Sequence, residues 1–366
     1  MKVSLSGSTI SHRLLRNLLL ARKETRDGYF LGLQRVWAPN ADLRAQPGPP
    51  VLLQHGLFMA GDAWFLNSPE QSLGFILADE GFDVWVGNVR GTRWSQGHIY
   101  LSEEDKEYWD WSWQELALYD LSEMINHIYS LTNSKVFIVG HSQGTIMSLA
   151  AFTQPDIAEM VEAAALLCPI SYLDHISTQF VHRMVDVHLD QMILAMGIHQ
   201  LNFRSDWGIN LLNSLCDGHV DCNDLLTSIT GKNCCFNNSR VDFYLDYEPH
   251  PSSAKNFHHL FQMIRKGTFS KYDYGILKNL VEYDVEDFQH TLKELQSTPQ
   301  LVYLENYGHV DFITREKKMR KFLTSGFKMD SCTCYWKFHG YLQPPTEKWK
   351  IVAKIAHVLG LSCWYS

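Results

Sequence analysis

A serine lies in a glycine-bounded pentapeptide whose spacing is typical of nucleophilic catalysis. Gly140-His141-Ser142-Gln143-Gly144 follows an apolar run and precedes a helical pattern. Two glycines allow a tight strand-to-helix turn, which exposes the middle serine for attack on a carbonyl carbon. The N–H groups that begin the helix, including that of Gln143, would face the developing negative oxygen. The pattern predicts Ser142 as a nucleophile; the alternative is an ordinary turn with an idle serine.

Two other segments offer the remaining groups that acyl transfer needs. His55-Gly56-Leu57 follows an apolar run, and the small Gly56 lets the backbone approach a substrate. We therefore expect the N–H groups of Leu57 and Gln143 to form an oxyanion hole, and we expect His55 to bind backbone rather than to transfer a proton. His309 lies in a glycine-bounded loop after a later apolar run, which predicts a general base.

The elements that would position these residues alternate along the chain. Five short apolar runs without polar alternation are typical of buried parallel strands. They are Val51 to Gln54, Phe82 to Val86, Val136 to Val139, Ala163 to Cys168 and Leu301 to Leu304. Helical patterns separate them, at Gln114 to Leu131 and Gly144 to Met160. This alternation predicts an α/β fold with a mostly parallel sheet.

From residue 171 to about residue 284 the sequence shows helical patterns without strands, for example at His182 to Met196 and Ala254 to Lys266. A segment of this length between two strands predicts a subdomain. It contains four closely spaced cysteines and a glycosylation triplet at Asn237-Asn238-Ser239. The cysteines are Cys216, Cys222, Cys234 and Cys235. Their spacing favours a disulfide over a zinc site, because no C-x-x-C pair is present.

Composition and charge exclude several classes of protein. The 366 residues are 45% hydrophobic and carry a formal net charge of −8, with basic residues concentrated before residue 51 and after residue 313. The acidic middle of the chain argues against nucleic acid as a partner. No apolar run reaches the length of a transmembrane segment. The first 23 residues contain no acid; they fit an organelle transit peptide or a solvated basic arm better than a secretory signal peptide.

These residues and their flanks resemble the acid lipase family of α/β-hydrolases, the gastric and lysosomal acid lipase relatives, and among them the plant triacylglycerol lipases. The motifs are Asp27-Gly28-Tyr29, Gln54 to Leu57, Asn88-Val89-Arg90-Gly91, Trp109 to Trp113, Gly140 to Gly144, and Asn306 to Asp311. The resemblance implies an α/β-hydrolase with a helical cap and lid that hydrolyses carboxylic esters of lipids at the lipid–water interface. It implies Ser142 as nucleophile, His309 as base and no cofactor or metal. It also implies the secretory pathway, either extracellular or vacuolar/lysosomal.

The chain departs from the family pattern at the third member of the catalytic triad. Counting back from the histidine places Leu280 where the family has an aspartate, and the strand that should precede it is missing. Asp284 is the preferred substitute, with Glu282 and Asp287 as alternatives, although a solvated helix start also explains Asp284. The sequence therefore predicts a lipase whose activity is impaired unless one of these carboxylates substitutes. The main alternative is a non-catalytic, lipid-binding relative; a hydrolase for small soluble esters is disfavoured by the large insertion.

The resemblance divides the chain into five segments. Residues 1–26 form a divergent basic segment, 27–170 the first part of the hydrolase core, 171–284 the cap and lid, 285–313 the second part of the core with His309, and 314–366 a divergent basic tail.

Overall fold

The computed structural model describes residues 18–36, 48–173, 179–206, 240–275, 278–279, 283, 300–305 and 331–338. Within these ranges the main element is an eight-stranded sheet. Its strands are β1 Leu18–Glu24, β2 Phe30–Val36, β3 Pro50–Gln54, β4 Asp83–Gly87, β5 Val136–His141, β6 Val161–Leu167, β9 Gln300–Glu305 and β10 Ser331–Phe338. A separate two-stranded sheet pairs β7 Gln200–Leu201 with β8 Ser252–Ser253.

The main sheet has the strand order β1-β2-β4-β3-β5-β6-β10-β9. β4, β3, β5 and β6 pair in parallel, while β2 and β10 are each antiparallel to both of their neighbours. Six strands consequently run in one direction and two in the other. The α/β fold and the five strands expected from apolar runs are confirmed, with bounds that differ by one or two residues.

The central strands are apolar on both faces because each face carries its own hydrophobic core. Leu52 pairs with Ile138, and both belong to the cluster on one face; the neighbouring pair Leu53 and Val139 belongs to the cluster on the other. All four side chains are buried. Successive side chains of a strand point to opposite faces, so burial on both sides produces the continuous apolar runs seen in the sequence.

Helices cover the sheet and recur in the described part of the insertion. They are α1 Leu73–Asp79, α2 Trp113–Glu115, α3 Ser122–Thr132, α4 Gln143–Ala151, α5 Pro155–Met160, α6 Gln179–Asp186, α7 Leu189–Ala195, α8 Val241–Tyr247 and α9 Ala254–Lys266. A π-helical segment, Leu116–Leu121, joins α2 to α3. The expected helix at 144–160 is divided before Pro155, which begins α5. The expected helix at 182–196 is divided at His188, which has a left-handed backbone conformation with φ of 52°.

A buried ion network ties α7 to α9 within the insertion. The Asp190 carboxylate accepts hydrogen bonds from Arg265 at 2.6 and 3.0 Å and from His258 Nδ1 at 2.5 Å. These donors outweigh the effect of burial and lower the pKa of Asp190 to about 2. Asp190 is therefore ionised, and the insertion has a polar internal anchor in addition to its small apolar cluster.

Two strands of the main sheet come from segments assigned to the divergent ends by sequence. β1 pairs with β2 along its whole length, and β10 lies between β6 and β9. β10 therefore occupies an interior position in the sheet next to β6, and it runs antiparallel to both neighbours. The segment boundaries themselves stay a prediction. Among the described helices, none is both long and apolar enough to span a bilayer.

Candidate active site

Ser142 occupies a strained turn between β5 and α4. Its backbone has φ of 54° and ψ of −119°, a conformation that costs free energy for a residue other than glycine. The Ser142 N–H donates to the Leu167 carbonyl at 3.0 Å, and its own carbonyl accepts from the N–H of Thr145 at 2.8 Å. These bonds hold the turn, and the Ser142 side chain lies at the carboxyl edge of the parallel strands, where ligands bind in sheets of this type.

Close backbone approaches explain the glycines around this serine. A Cβ added at Gly144 would lie 2.5 Å from the carbonyl oxygen of Gln54, and one at Gly140 would lie 2.9 Å from the carbonyl oxygen of Gly144. A Cβ at Gly56 would lie 2.9 Å from the Ser142 Cβ. The loop after β3 therefore passes directly beside the serine.

The two N–H groups expected to form an oxyanion hole belong to elements that flank Ser142. Gln143 is the first residue of α4, so its N–H has no acceptor within the helix. Leu57 follows Gly56 in a turn closed by a 3.3 Å hydrogen bond from the Met59 N–H to the Gly56 carbonyl. This placement is compatible with a pair of donors facing one carbonyl oxygen. The assignment of Leu57 and Gln143 as that pair stays a prediction.

His55 supports the loop through both ring nitrogens. Its Nε2 accepts from the Val89 N–H at 3.2 Å, so the proton is on Nδ1, which donates to the Gly56 carbonyl at 2.9 Å. The ring is 1% exposed, and burial lowers its pKa to about 4. A neutral imidazole with both nitrogens bound to backbone orients the loop and has no free nitrogen for proton transfer.

A buried polar cluster joins the insertion to the loop after β3, at the residues that follow Leu57. The Glu248 Oε1 accepts from the Ala60 backbone N–H at 3.1 Å, and the backbone N–H of His250 donates to the Phe58 carbonyl at 2.8 Å. The His250 Nε2 lies 3.5 Å from Asp62 and 3.7 Å from Glu248, and these are contacts between charges only where His250 is protonated. Segment 248–250 therefore fixes residues 58–60, just after Leu57.

A second buried network holds the loop after β4. The Arg90 guanidinium, which is 1% exposed, binds Asp27 through two nitrogens at 2.6 and 2.9 Å and binds Asp120 through Nε at 2.8 Å. Its backbone N–H also donates to Asp120 at 2.9 Å. Because Val89 donates to His55, this network positions the histidine that supports the oxyanion loop.

The other predicted site residues lie outside the described part of the chain. These are His309 and the carboxylates Asp284, Glu282 and Asp287; the four-cysteine cluster and Asn237 lie there as well. The strand that leads to His309 is described: β9 ends at Glu305 and runs in the same direction as β5 and β6. The carboxyl end of β9 therefore lies at the edge of the sheet that carries Ser142.

The sequence did not indicate the polar residues of the insertion that reach this site. They are Glu248, His250 and Asn256, and each has a hydrogen-bond partner more than 100 residues earlier in the chain. Their neighbours in the sequence are mostly polar too, so no local signal distinguishes them. Within the described residues, no group of three His, Cys, Asp or Glu side chains could hold a metal ion.

Comparison with known proteins identifies the family. A family described as a partial alpha/beta-hydrolase lipase region matches residues 22–68, and one described as alpha/beta hydrolase fold matches residues 49–191. The chain is 63% identical over 320 residues to Triacylglycerol lipase 1 of Arabidopsis thaliana, which covers 79% of this chain and 81% of that protein. It is 37% identical to Triacylglycerol lipase 2 of the same plant, covering 83% and 73% of the two chains. It is 34% identical to human Gastric triacylglycerol lipase, covering 79% and 81%. The chain therefore belongs to the acid lipase family of α/β-hydrolases.

Proposed function

We propose that this protein is a serine lipase that hydrolyses carboxylic esters of lipids, such as triacylglycerols or related acyl esters. The observation that carries the proposal is the strained Ser142 turn, against which Gly56 packs so closely that no larger residue fits. Strain of this kind persists only where the surrounding structure enforces it, and it is typical of catalytic sites. The names of the relatives support a lipid ester as substrate.

The proposed reaction has two steps. The Ser142 Oγ attacks the ester carbonyl carbon while His309 takes its proton, and the oxyanion is stabilised by the N–H groups of Leu57 and Gln143. The alcohol leaves with a proton from His309, which gives an acyl-serine. Water then attacks that ester with His309 again acting as base, releasing the fatty acid and restoring Ser142. No step uses a metal or an organic cofactor.

The acid that orients His309 is proposed to be Asp284, with Glu282 and Asp287 as alternatives. Loss of the corresponding aspartate from a serine protease triad lowers turnover about 10⁴-fold. Asp284→Asn should therefore lower kcat by about that factor if Asp284 has this role. Asp287→Asn is the matched control, and equal activity of wild type and both variants would contradict the assignment of Asp284.

We further propose that the protein acts in the secretory pathway, extracellular or vacuolar/lysosomal, at a lipid–water interface. Cys168 is disulfide-bonded, which is typical of an oxidising compartment. The insertion exposes several large apolar side chains that would contact lipid. They are Val187, Met192, Met196 and Leu245, each more than half exposed.

Two measurements test the proposed function. The purified protein, Ser142→Ala and the exposed-serine control Ser130→Ala are assayed with a short-chain nitrophenyl ester and with a long-chain triacylglycerol emulsion. Each is also treated with a fluorophosphonate probe, which labels only an activated serine. We expect turnover and labelling in the wild type and in Ser130→Ala, and neither in Ser142→Ala. Lipid binding without labelling would instead support a non-catalytic relative, and hydrolysis of the short ester alone would contradict a lipase.

A further inference from the structure

Helix α9 of the insertion contacts α4, the helix that begins directly after Ser142, through one buried hydrogen bond. The Asn256 Nδ2 donates to the Gln143 Oε1 at 2.8 Å, across 113 positions of sequence. Asn256 is fully buried and Gln143 is 2% exposed. The residue that follows the nucleophile therefore has its side chain held by the insertion.

The start of α9 is itself fixed to the hydrolase core, so Asn256 has a defined position. The Ser253 hydroxyl donates to the Trp109 carbonyl at 2.6 Å and accepts from the N–H groups of Lys255 and Asn256 at 3.0 and 3.2 Å. Ser253 thus caps the helix and anchors it at once. The Asn256 backbone is tied to the cap and its side chain to α4.

Burial of the Asn256 side chain carries a cost in desolvation free energy. Its Oδ1 is buried and has no hydrogen-bond partner among the described residues. A leucine of similar shape would avoid the desolvation penalty of that carbonyl but would leave the buried Gln143 Oε1 without its donor. The amide at this position is therefore explained by the donor that it supplies to Gln143, with a longer bond of 3.3 Å to the Ser252 hydroxyl.

We propose that Asn256 is a positioning residue for the oxyanion hole, an inference that rests on the proposed function. The Gln143 side chain is fixed at its far end by Asn256, and its backbone by α4. Together these restraints set the orientation of the Ser142–Gln143 peptide, whose N–H is the proposed donor. Such donors stabilise the transition state only when they lie about 2.7–3.1 Å from the oxyanion, so a small rotation reduces catalysis. The insertion then completes the catalytic site.

The kinetic test compares Asn256→Leu with Gln262→Leu. Gln262 is the matched control because it lies on the same helix and makes two hydrogen bonds to the Asp273 backbone, at 2.8 and 3.0 Å. Removing an oxyanion donor outright costs about 10²–10³-fold in kcat, so we expect misalignment to cost about 10–100-fold. KM should stay within about twofold, because the donor acts on the transition state.

A double-mutant cycle adds specificity to this test. Gln143→Leu keeps the backbone N–H and removes the bond from the other side, so it should match Asn256→Leu, and the double variant should lose no more. A kcat for Asn256→Leu within about threefold of wild type would overturn the proposal. So would an equal loss in Gln262→Leu, because the effect would then be general damage to α9.

A measurement without substrate separates this proposal from the proposed function. In protein labelled with ¹⁵N-glutamine, the backbone resonance of Gln143 is identified by its absence in Gln143→Leu. We expect Asn256→Leu to shift it and Gln262→Leu to leave it in place. An unshifted Gln143 resonance overturns the positioning role whatever the activity, whereas an inactive wild type with a shifted resonance overturns the proposed function and leaves the positioning of Gln143 supported.

Discussion

Glu248→Gln should change how the stability of this protein depends on pH. The Glu248 carboxyl is buried between the insertion and the loop that carries Leu57, and its Oε2 has no hydrogen-bond partner among the described residues. Burial raises its pKa well above the ordinary value of 4.5, even though Arg93 and the Ala60 N–H oppose the shift. Glutamine keeps the size and the acceptor for Ala60 and removes the charge.

The sign and size of the effect follow from proton linkage. Between pH 4.5 and the raised pKa, folded Glu248 holds a proton that the unfolded chain has released. Wild-type stability is therefore lost as pH rises through this window, by at most about 1.4 kcal/mol per pH unit. Burial lowers the pKa of His250 from its ordinary 6.5, so His250 acts oppositely: its contribution is lost as pH falls below that value. The lowered pKa of Asp62 matters only below its ordinary 3.8.

The assay is urea unfolding at pH 4.5, 5.5, 6.5 and 7.5, with the variant compared with wild type at each pH. We expect equal free energies of unfolding at pH 4.5 and a growing advantage for Glu248→Gln above it, ending in a plateau. Glu107→Gln, at an exposed position, should show a difference that is constant with pH. A flat difference for Glu248→Gln, or an advantage that grows toward low pH, would refute the reasoning.

Three other substitutions test the supports of the site. Gly144→Ala places a Cβ 2.5 Å from the Gln54 carbonyl oxygen, which cannot move without shifting β3. We expect urea unfolding to show a loss of about 1–3 kcal/mol in the free energy of unfolding, and we expect Ser142-dependent turnover to be lost as well. Full activity would show that the turn tolerates displacement. Asp120→Asn removes a charge from the buried Arg90, and we expect a loss of about 3–5 kcal/mol. Asp27→Asn, whose side chain is 29% exposed, should cost clearly less in the same measurement; equal losses would contradict this account of the network.

The parts of the fold that follow local rules could be predicted from the sequence. β3 to β6 are buried on both faces and read as continuous apolar runs. Helix α9 has the bounds that the sequence predicts, because Ser253 caps its start and Gly267, with φ of 60°, ends it. The serine turn could also be predicted, because its two glycines lie within one strand–turn–helix unit and form a recognisable local pattern.

The features that the sequence did not predict depend on pairings between distant segments. Asn256 looks like any polar residue of a helix until α9 is placed against Gln143. Glu248 likewise gives no signal in the sequence, because its raised pKa comes from burial beside Ala60 in the folded protein. The strand β10 carries no uniform apolar run, and its place in the sheet is set by neighbours that lie far earlier in the chain.

The position of β10 also constrains the order in which the protein can assemble. Cys334 pairs with Leu167 on one side and with Val302 on the other. On the ribosome, β6 and β9 emerge before the strand that joins them, so the nascent chain carries an open β6 edge until residues 331–338 are released. An unpaired edge of this kind attracts other strands, and pairing across such a long stretch of chain is slow. Among the described strands, the pairing of β10 is therefore the last step of sheet formation, and until it occurs the chain depends most on protection from aggregation.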